Sequence, residues 1–161
     1  MSEDGRTAVR LWWGWVAFVL SLGGFGVSLY LTVDHFTGSL PICAANGVID
    51  CAKVTTSAES EVFGVLPVAL VGLVYFAVLV AVDAPPLWRR GGEWARYLAW
   101  ARLALVVGGI GMVFYLLYAE LFSIKAICLW CTAVHAITLL LFVLVVATFP
   151  TMAIAPGDEG G

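Results

Sequence analysis

Charge is scarce in this chain: only 12% of its 161 residues are Asp, Glu, Lys or Arg, while 62% are hydrophobic. A water-soluble globule needs more polar surface than this to cover its core, so the composition implies an integral membrane protein. Basic residues number only eight and form no stripe or face. Without such a face a phosphate backbone goes unneutralised, and nucleic acid is not expected as a partner. Cys131 is followed by Thr132 rather than histidine, which disfavours covalent haem attachment. Cysteine leaves no odd member: the four fall into two groups, Cys43 with Cys51 and Cys128 with Cys131.

What the chain has instead is long apolar runs. Leu11 to Val33 contains no Asp, Glu, Lys or Arg, which is enough for a helix across ~30 Å of hydrocarbon. A signal peptide is the competing reading, but this apolar region exceeds ~7–15 residues and no clear Ala-x-Ala site ends it. Val62 to Val82, Leu103 to Ala119 and Ala126 to Phe149 are the other uncharged stretches. Pro67 suits the first turn of the second helix, where the missing N–H has no intrahelical partner. Pro150 is expected to stop the last. These limits predict an all-α membrane protein in one domain, a bundle of four transmembrane helices over approximately 11–33, 66–83, 97–120 and 126–149. A cysteine-bearing outer loop over 34–63 is expected to carry a short surface helix between Lys53 and Val62, and the Gly-rich tail 156–161 is expected to be disordered.

Orientation follows from the placement of basic residues. Arg6, Arg10, Arg89, Arg90, Arg96 and Arg102 fall on one side of such a bundle, against Lys53 and Lys125 on the other. The positive-inside rule then predicts a multi-pass protein of the inner or plasma membrane with both termini cytoplasmic. All four cysteines fall on the outer side, where disulfides persist.

Cys43 and Cys51 lie eight positions apart with the turn pair Asn46-Gly47 between them, a spacing that permits a local disulfide. Cys128-Leu129-Trp130-Cys131 is a Cys-x-x-Cys pair opening the fourth helix. The positive end of the helix dipole there stabilises a thiolate, the species that attacks disulfides or donates electrons. Lys125 just upstream is a second candidate for that effect. A dithiol at the membrane boundary suits delivery of two electrons to a lipid-borne quinone, and a loop pair in water suits a soluble thiol protein, so the four cysteines read as a relay.

The ordered set resembles the vitamin K epoxide reductase family, in particular its bacterial disulfide-forming members. The residues that carry the likeness are the loop cysteine pair after the first helix, Cys51-Ala52-Lys53-Val54-Thr55-Thr56-Ser57, Phe63-Gly64 with nearby Pro67, and the Cys-x-x-Cys. The resemblance implies a four-helix bundle around a quinone of menaquinone or ubiquinone type, with loop residues capping the pocket. It implies that Cys43 exchanges with a soluble extracytoplasmic thioredoxin-like thiol oxidase, Cys51 with Cys128, and that Cys131 faces the quinone. Ser57 and Phe63 would border the pocket, Ser57 having helix capping as its plainer role. The chain departs from the family pattern by one extra residue in Phe63-Gly64-Val65-Leu66-Pro67. At the position seven beyond Cys128, often tyrosine in animal members, it carries His135.

His135 shares a helix face with Cys128 and Cys131 about one turn deeper. An ionisable group inside the membrane is a functional candidate, here as a hydrogen-bond donor to a quinone carbonyl, with a bond to a neighbouring helix as the alternative. Asp34 and His35 read as a solvated helix end, and Tyr75, Tyr115 and Trp130 as packing or interface aromatics. Three further functions compete with thiol oxidation: vitamin K epoxide or quinone reduction through the same cysteines, a static disulfide-stapled membrane protein, and a zinc site, for which Cys43 and Cys51 lack the usual tight spacing.

Overall fold

The computed structural model describes residues 3–43, 47–62, 65–88 and 93–153. Phe63, assigned to the pocket by resemblance, lies outside them, as do Asn46, Arg89, Arg90 and the tail 156–161. In chain order the elements are α1 (Glu3–Thr37), α2 (Cys51–Thr55), a 3-10 turn (Ala58–Ser60), strands β1 (Glu61–Val62) and β2 (Leu66–Pro67), α3 (Val68–Val82), α4 (Pro85–Trp88), α5 (Glu93–Tyr118), a π-helical turn (Ala119–Ile124) and α6 (Leu129–Ala153). Three helical segments, Trp12–Thr37, Arg96–Ile124 and Leu129–Pro150, are long and apolar enough to cross a membrane, and Val68–Val82 is a shorter apolar helix.

The side-chain distribution is that of a body solvated by lipid. Ser21, Ser28, Thr32 and Thr138 are buried, whereas Val19, Leu29, Leu139 and Val143 are exposed on the same helices. Exposed leucine and valine on long helices cost little in hydrocarbon, and small hydroxyl residues between helices allow close approach. Thr32 and Thr138 satisfy their hydroxyls on backbone carbonyls four residues back, at 2.7 and 2.9 Å.

α1 packs against α3 and α6, and α5 packs against α6. Ala17, Phe76, Leu79, Val106, Leu141 and Val145 form the shared core. Gly24 admits the Phe76 ring and Gly109 the Tyr75 side chain, each where a Cβ would overlap the ring. At the far end of α3, Asp83 meets Arg102 Nε at 2.6 Å and accepts from the Ser21 hydroxyl at 2.7 Å, all three residues buried. Arg102 is thus part of α5 and neutralised, not a residue of the connection. Removing one member of such a buried pair costs about 3–5 kcal/mol, because the other charge is stranded.

The fourth apolar run differs from its expected limits at both ends. α6 begins at Leu129, and Pro150 lies inside it. Proline there forfeits a single N–H near the helix end, and one more turn follows. The loop helix expected between Lys53 and Val62 is divided: α2 starts at Cys51, where Asp50 Oδ1 accepts from the Lys53 N–H at 3.0 Å, and gives way to the 3-10 turn and β1. β1 pairs antiparallel with β2, Glu61 opposite Pro67 and Val62 opposite Leu66, which returns the chain to the start of α3.

Candidate functional site

The loop cysteines are positioned by backbone pairing with the segment just before the Cys-x-x-Cys. Asp50 N–H donates to the Ile127 carbonyl at 3.1 Å, Ile127 N–H donates to the Val48 carbonyl at 2.9 Å, and Ile49 and Ile127 form a parallel bridge. Cys43 is disulfide-bonded to Cys51 with their Cα atoms 6.2 Å apart. Ile42 is gripped from two sides: its N–H donates to the Tyr30 hydroxyl at 3.0 Å, and its carbonyl accepts from Trp130 Nε1 at 3.0 Å. The Tyr30 and Trp130 rings lie 5.0 Å apart. Trp130, a middle residue of the Cys-x-x-Cys, therefore ties the helix pair to the residue preceding Cys43.

These ties gather all four cysteines. Cys51 and Cys128 are buried in one cluster with Val54, Ile124 and Ala126, and Cys43, Cys131 and Trp130 pack against it. Cys128 and Cys131 are not disulfide-bonded. Cys128 takes the position immediately before α6, and its Sγ accepts from the Cys131 N–H at 3.3 Å, in the manner of a helix N-cap. The Cys131 thiol hydrogen-bonded to it holds Cys128 below its ordinary thiol range, against the opposing effect of burial. Cys128 is thus the sulfur favoured as thiolate.

Lys125 takes no part in this. It is exposed and ends the π-helical turn in the left-handed conformation, with φ of 54°. The charged neighbour of the dithiol is Glu120, which sequence reasoning treated only as the limit of a span. Glu120 is buried, and its backbone carbonyl accepts from the Ala126 N–H at 3.2 Å, two residues before Cys128. The signal available in sequence was an acid eight residues before Cys128, at a place where lipid makes an unpaired charge expensive.

Below the cysteines a cavity of about 520 Å³ is walled by α1, α3, α5 and α6 and roofed by residues of α2 and the 3-10 turn. Most of its lining is apolar. Cys131 is the one cysteine among the described residues on its wall, with His135 beyond it; Tyr75, Thr138, His35 and Glu120 also contribute. Among the described residues, both ring nitrogens of His135 and the Tyr75 hydroxyl are buried without a hydrogen-bond partner. An unbonded polar atom in an apolar interior costs about 1–3 kcal/mol, and these groups bring that unmet hydrogen-bonding capacity to the cavity wall.

Ser57 stands apart. Its hydroxyl donates to the Val54 carbonyl at 2.8 Å and makes no capping bond to the 3-10 turn. It borders a smaller neighbouring cavity of about 220 Å³, which shares Leu31, His35, Thr55 and Ser60 with the large one. Glu59, at the lip of the large cavity, accepts a short hydrogen bond from the Ser123 hydroxyl that ties the roof to the π-helical turn. Of the aromatics, Tyr75 lines the cavity, Trp130 is the loop clamp, and Tyr115 is exposed on α5.

Two cysteine pairs in contact, one bonded and one free, beside an apolar cavity and within helices suited to lipid, describe a membrane redox site. No curated protein matches the chain. The model of the vitamin K epoxide reductase family matches residues 15–146, a span that includes all four cysteines and the cavity walls. By that match the chain belongs to the vitamin K epoxide reductase family, and it is a multi-pass membrane oxidoreductase that works through cysteines.

Proposed function

We propose that the protein is a quinone-dependent thiol oxidase that reoxidises an extracytoplasmic thioredoxin-like partner, with Val68–Val82 as the fourth crossing and all four cysteines on the outer side. The observation that carries this reading is that the four cysteines share one packed cluster, of which Cys131 alone reaches the cavity wall among the described residues. A cluster open to water at one end and to an apolar chamber at the other has the form of a relay.

The chain's own residues account for each step. Cys43 is half-buried beside Ile42, which is 85% exposed, whereas Cys51 is 1% exposed. A partner thiolate therefore meets Cys43 Sγ and releases Cys51. Once the partner's second thiol resolves the mixed disulfide, Cys51 attacks Cys128 of a Cys128–Cys131 disulfide, shielded from water by Val54 and Ile124. Cys43 then closes on Cys51 and frees Cys128, each exchange passing through a mixed disulfide. Bonded Cys43–Cys51 with free Cys128 and Cys131 is the state that follows this internal exchange.

The cavity fits a quinone head group. Its volume falls within the ~300–1,000 Å³ usual for small-molecule sites, its walls are mostly apolar, and His135 and Tyr75 offer unpartnered polar atoms. The quinone supplies an acceptor for two electrons and two protons. His135 would donate a hydrogen bond to a carbonyl oxygen while the roof excludes water. The competing zinc reading is weakened by the Cys43–Cys51 bond, since disulfide sulfurs are not thiolate ligands.

Purified protein, a reduced thioredoxin-like protein and a soluble quinone, followed by quinone absorbance, test the proposal. Thiol oxidation should require the quinone and be lost in Cys128→Ser. Oxidation without quinone, or none at all, sinks it.

A further inference from the structure

The buried carboxylate of Glu120 has no counterion among its described contacts, yet it sits at the redox pair. The π-helical turn from Ala119 to Ile124 turns it inward: the Glu120 carbonyl accepts from the Lys125 N–H and from the Ala126 N–H, the latter at 3.2 Å, which ties this turn to the segment leading into Cys128. It lines the same cavity as Cys131. Extra-wide helical turns of this kind recur where a side chain must be re-aimed. Other titratable groups on the cavity are Cys131 and His135 from α6, Tyr75 from α3, His35 from α1 and Glu59 from the 3-10 turn.

A thiolate on Cys128 and a carboxylate on Glu120 would repel in a shared buried site, and one proton held between them removes that cost. We propose that Glu120 is the proton carrier of the Cys128–Cys131 dithiol, a role that rests on the quinone reading above. Glu120 holds the proton that Cys128 gives up, and Cys131 keeps its own. When Cys128 Sγ bonds to Cys131 Sγ, two electrons leave for the quinone. The Cys131 thiol proton and the Glu120 carboxyl proton go to its two oxygens, yielding disulfide, hydroquinone and a Glu120 carboxylate. Re-reduction by the Cys43 and Cys51 thiols, Cys51 attacking Cys128 and Cys43 then closing on Cys51, restores the thiolate at Cys128, and the two thiol protons go to Cys131 and Glu120.

Glu120→Gln keeps the size of the side chain but carries no titratable proton, and Glu120→Asp keeps the acid. The first readout is the infrared difference spectrum of full-length protein, in detergent, between its dithiol and disulfide states, with a chemical thiol oxidant in place of quinone. A protonated-carboxyl band should disappear on oxidation in wild type, persist in shifted form in the reduced Glu120→Asp protein, and be missing from Glu120→Gln. The second readout is quinone turnover, which should fall about 100-fold in Glu120→Gln with KM for quinone unchanged and be largely restored in Glu120→Asp. A normal band in Glu120→Gln, or wild-type turnover with an unchanged pH profile, overturns the proposal. A wild-type protein that reduces no quinone overturns the quinone reading alone, and the infrared band then still decides Glu120. Trapping of the Cys51–Cys128 mixed disulfide in each variant reports that the cluster has folded.

Discussion

The two cysteine pairs occupy one cluster and are built for opposite demands. Cys43 lies on irregular chain and Cys51 opens the short α2; the two are joined by a covalent bond, and the segment between them is stitched through backbone hydrogen bonds to Ile127. Cys128 and Cys131 lie at a helix start and are free; the first is fully buried, and the second is held between the cluster and the cavity. A pair that must meet a protein needs an accessible sulfur on a surface that can yield. A pair that must meet a small acceptor in lipid needs fixed geometry, a chosen thiolate and a place for the proton. The difference between the pairs is therefore one of surroundings, since all four residues are chemically alike.

The largest effect expected from breaking this asymmetry is at Cys131. Cys131→Ser removes the one cysteine on the cavity wall among the described residues and should abolish quinone turnover, while Cys128 remains able to accept Cys51. The trapped Cys51–Cys128 disulfide should then accumulate and be visible on a non-reducing gel. Cys43→Ser should instead block entry from the partner and leave direct chemical reduction of the Cys128–Cys131 disulfide intact. If both variants lose the same step, the two pairs are not in series.

Much of this division was legible in sequence, and its limits are physical. The pairing of Cys43 with Cys51 and the start of a helix at the Cys-x-x-Cys follow from spacing, turn residues and apolar length. The contact between the pairs was not legible as geometry, because it depends on Ile49 meeting Ile127 and on Trp130 reaching the Ile42 carbonyl across 88 positions. Glu120 was missed for a related reason. An acid at the edge of an apolar run reads as the end of a span, and only the π-helical turn brings it back inside. Lys125, by contrast, is close in sequence to Cys128 but is exposed at the left-handed cap of the π-helical turn. Ser57, which the resemblance implies borders the pocket, donates its hydroxyl to the Val54 carbonyl and borders the smaller cavity beside the large one.

A smaller effect is expected at His135, where stability and activity should move in opposite directions. Both ring nitrogens are buried without partners, so His135→Phe removes an unmet desolvation cost of about 1–3 kcal/mol and should raise the thermal midpoint. The same change deletes a donor facing the cavity, and quinone turnover should fall by about tenfold, the equivalent of ~1.4 kcal/mol. Cys43–Cys51 exchange with a partner thiol should be unaffected. A variant that is stabilised with quinone turnover intact would make His135 a tolerated core residue and leave the carbonyl to Tyr75.

The smallest effect concerns the roof over the cavity. The Ser123 hydroxyl holds Glu59 below the usual carboxylate range, with a backbone hydrogen bond acting in the same direction. A depressed folded-state pKa means that this contact stabilises the roof above the unfolded value of ~4.3 and is lost as pH falls through the lower folded value. Glu59 is exposed, so solvent screening keeps the contribution to global stability slight. Hydrogen exchange at residues 58–60 reads the local effect. Ser123→Ala should exchange faster than wild type above pH ~5, and the gap should close below the folded-state pKa, as the carboxyl protonates. A gap that is the same at both ends of that range would mean that β1 and β2, rather than the Glu59 contact, keep the roof over the cavity, and that access to Cys131 is independent of the acid side of the pH scale.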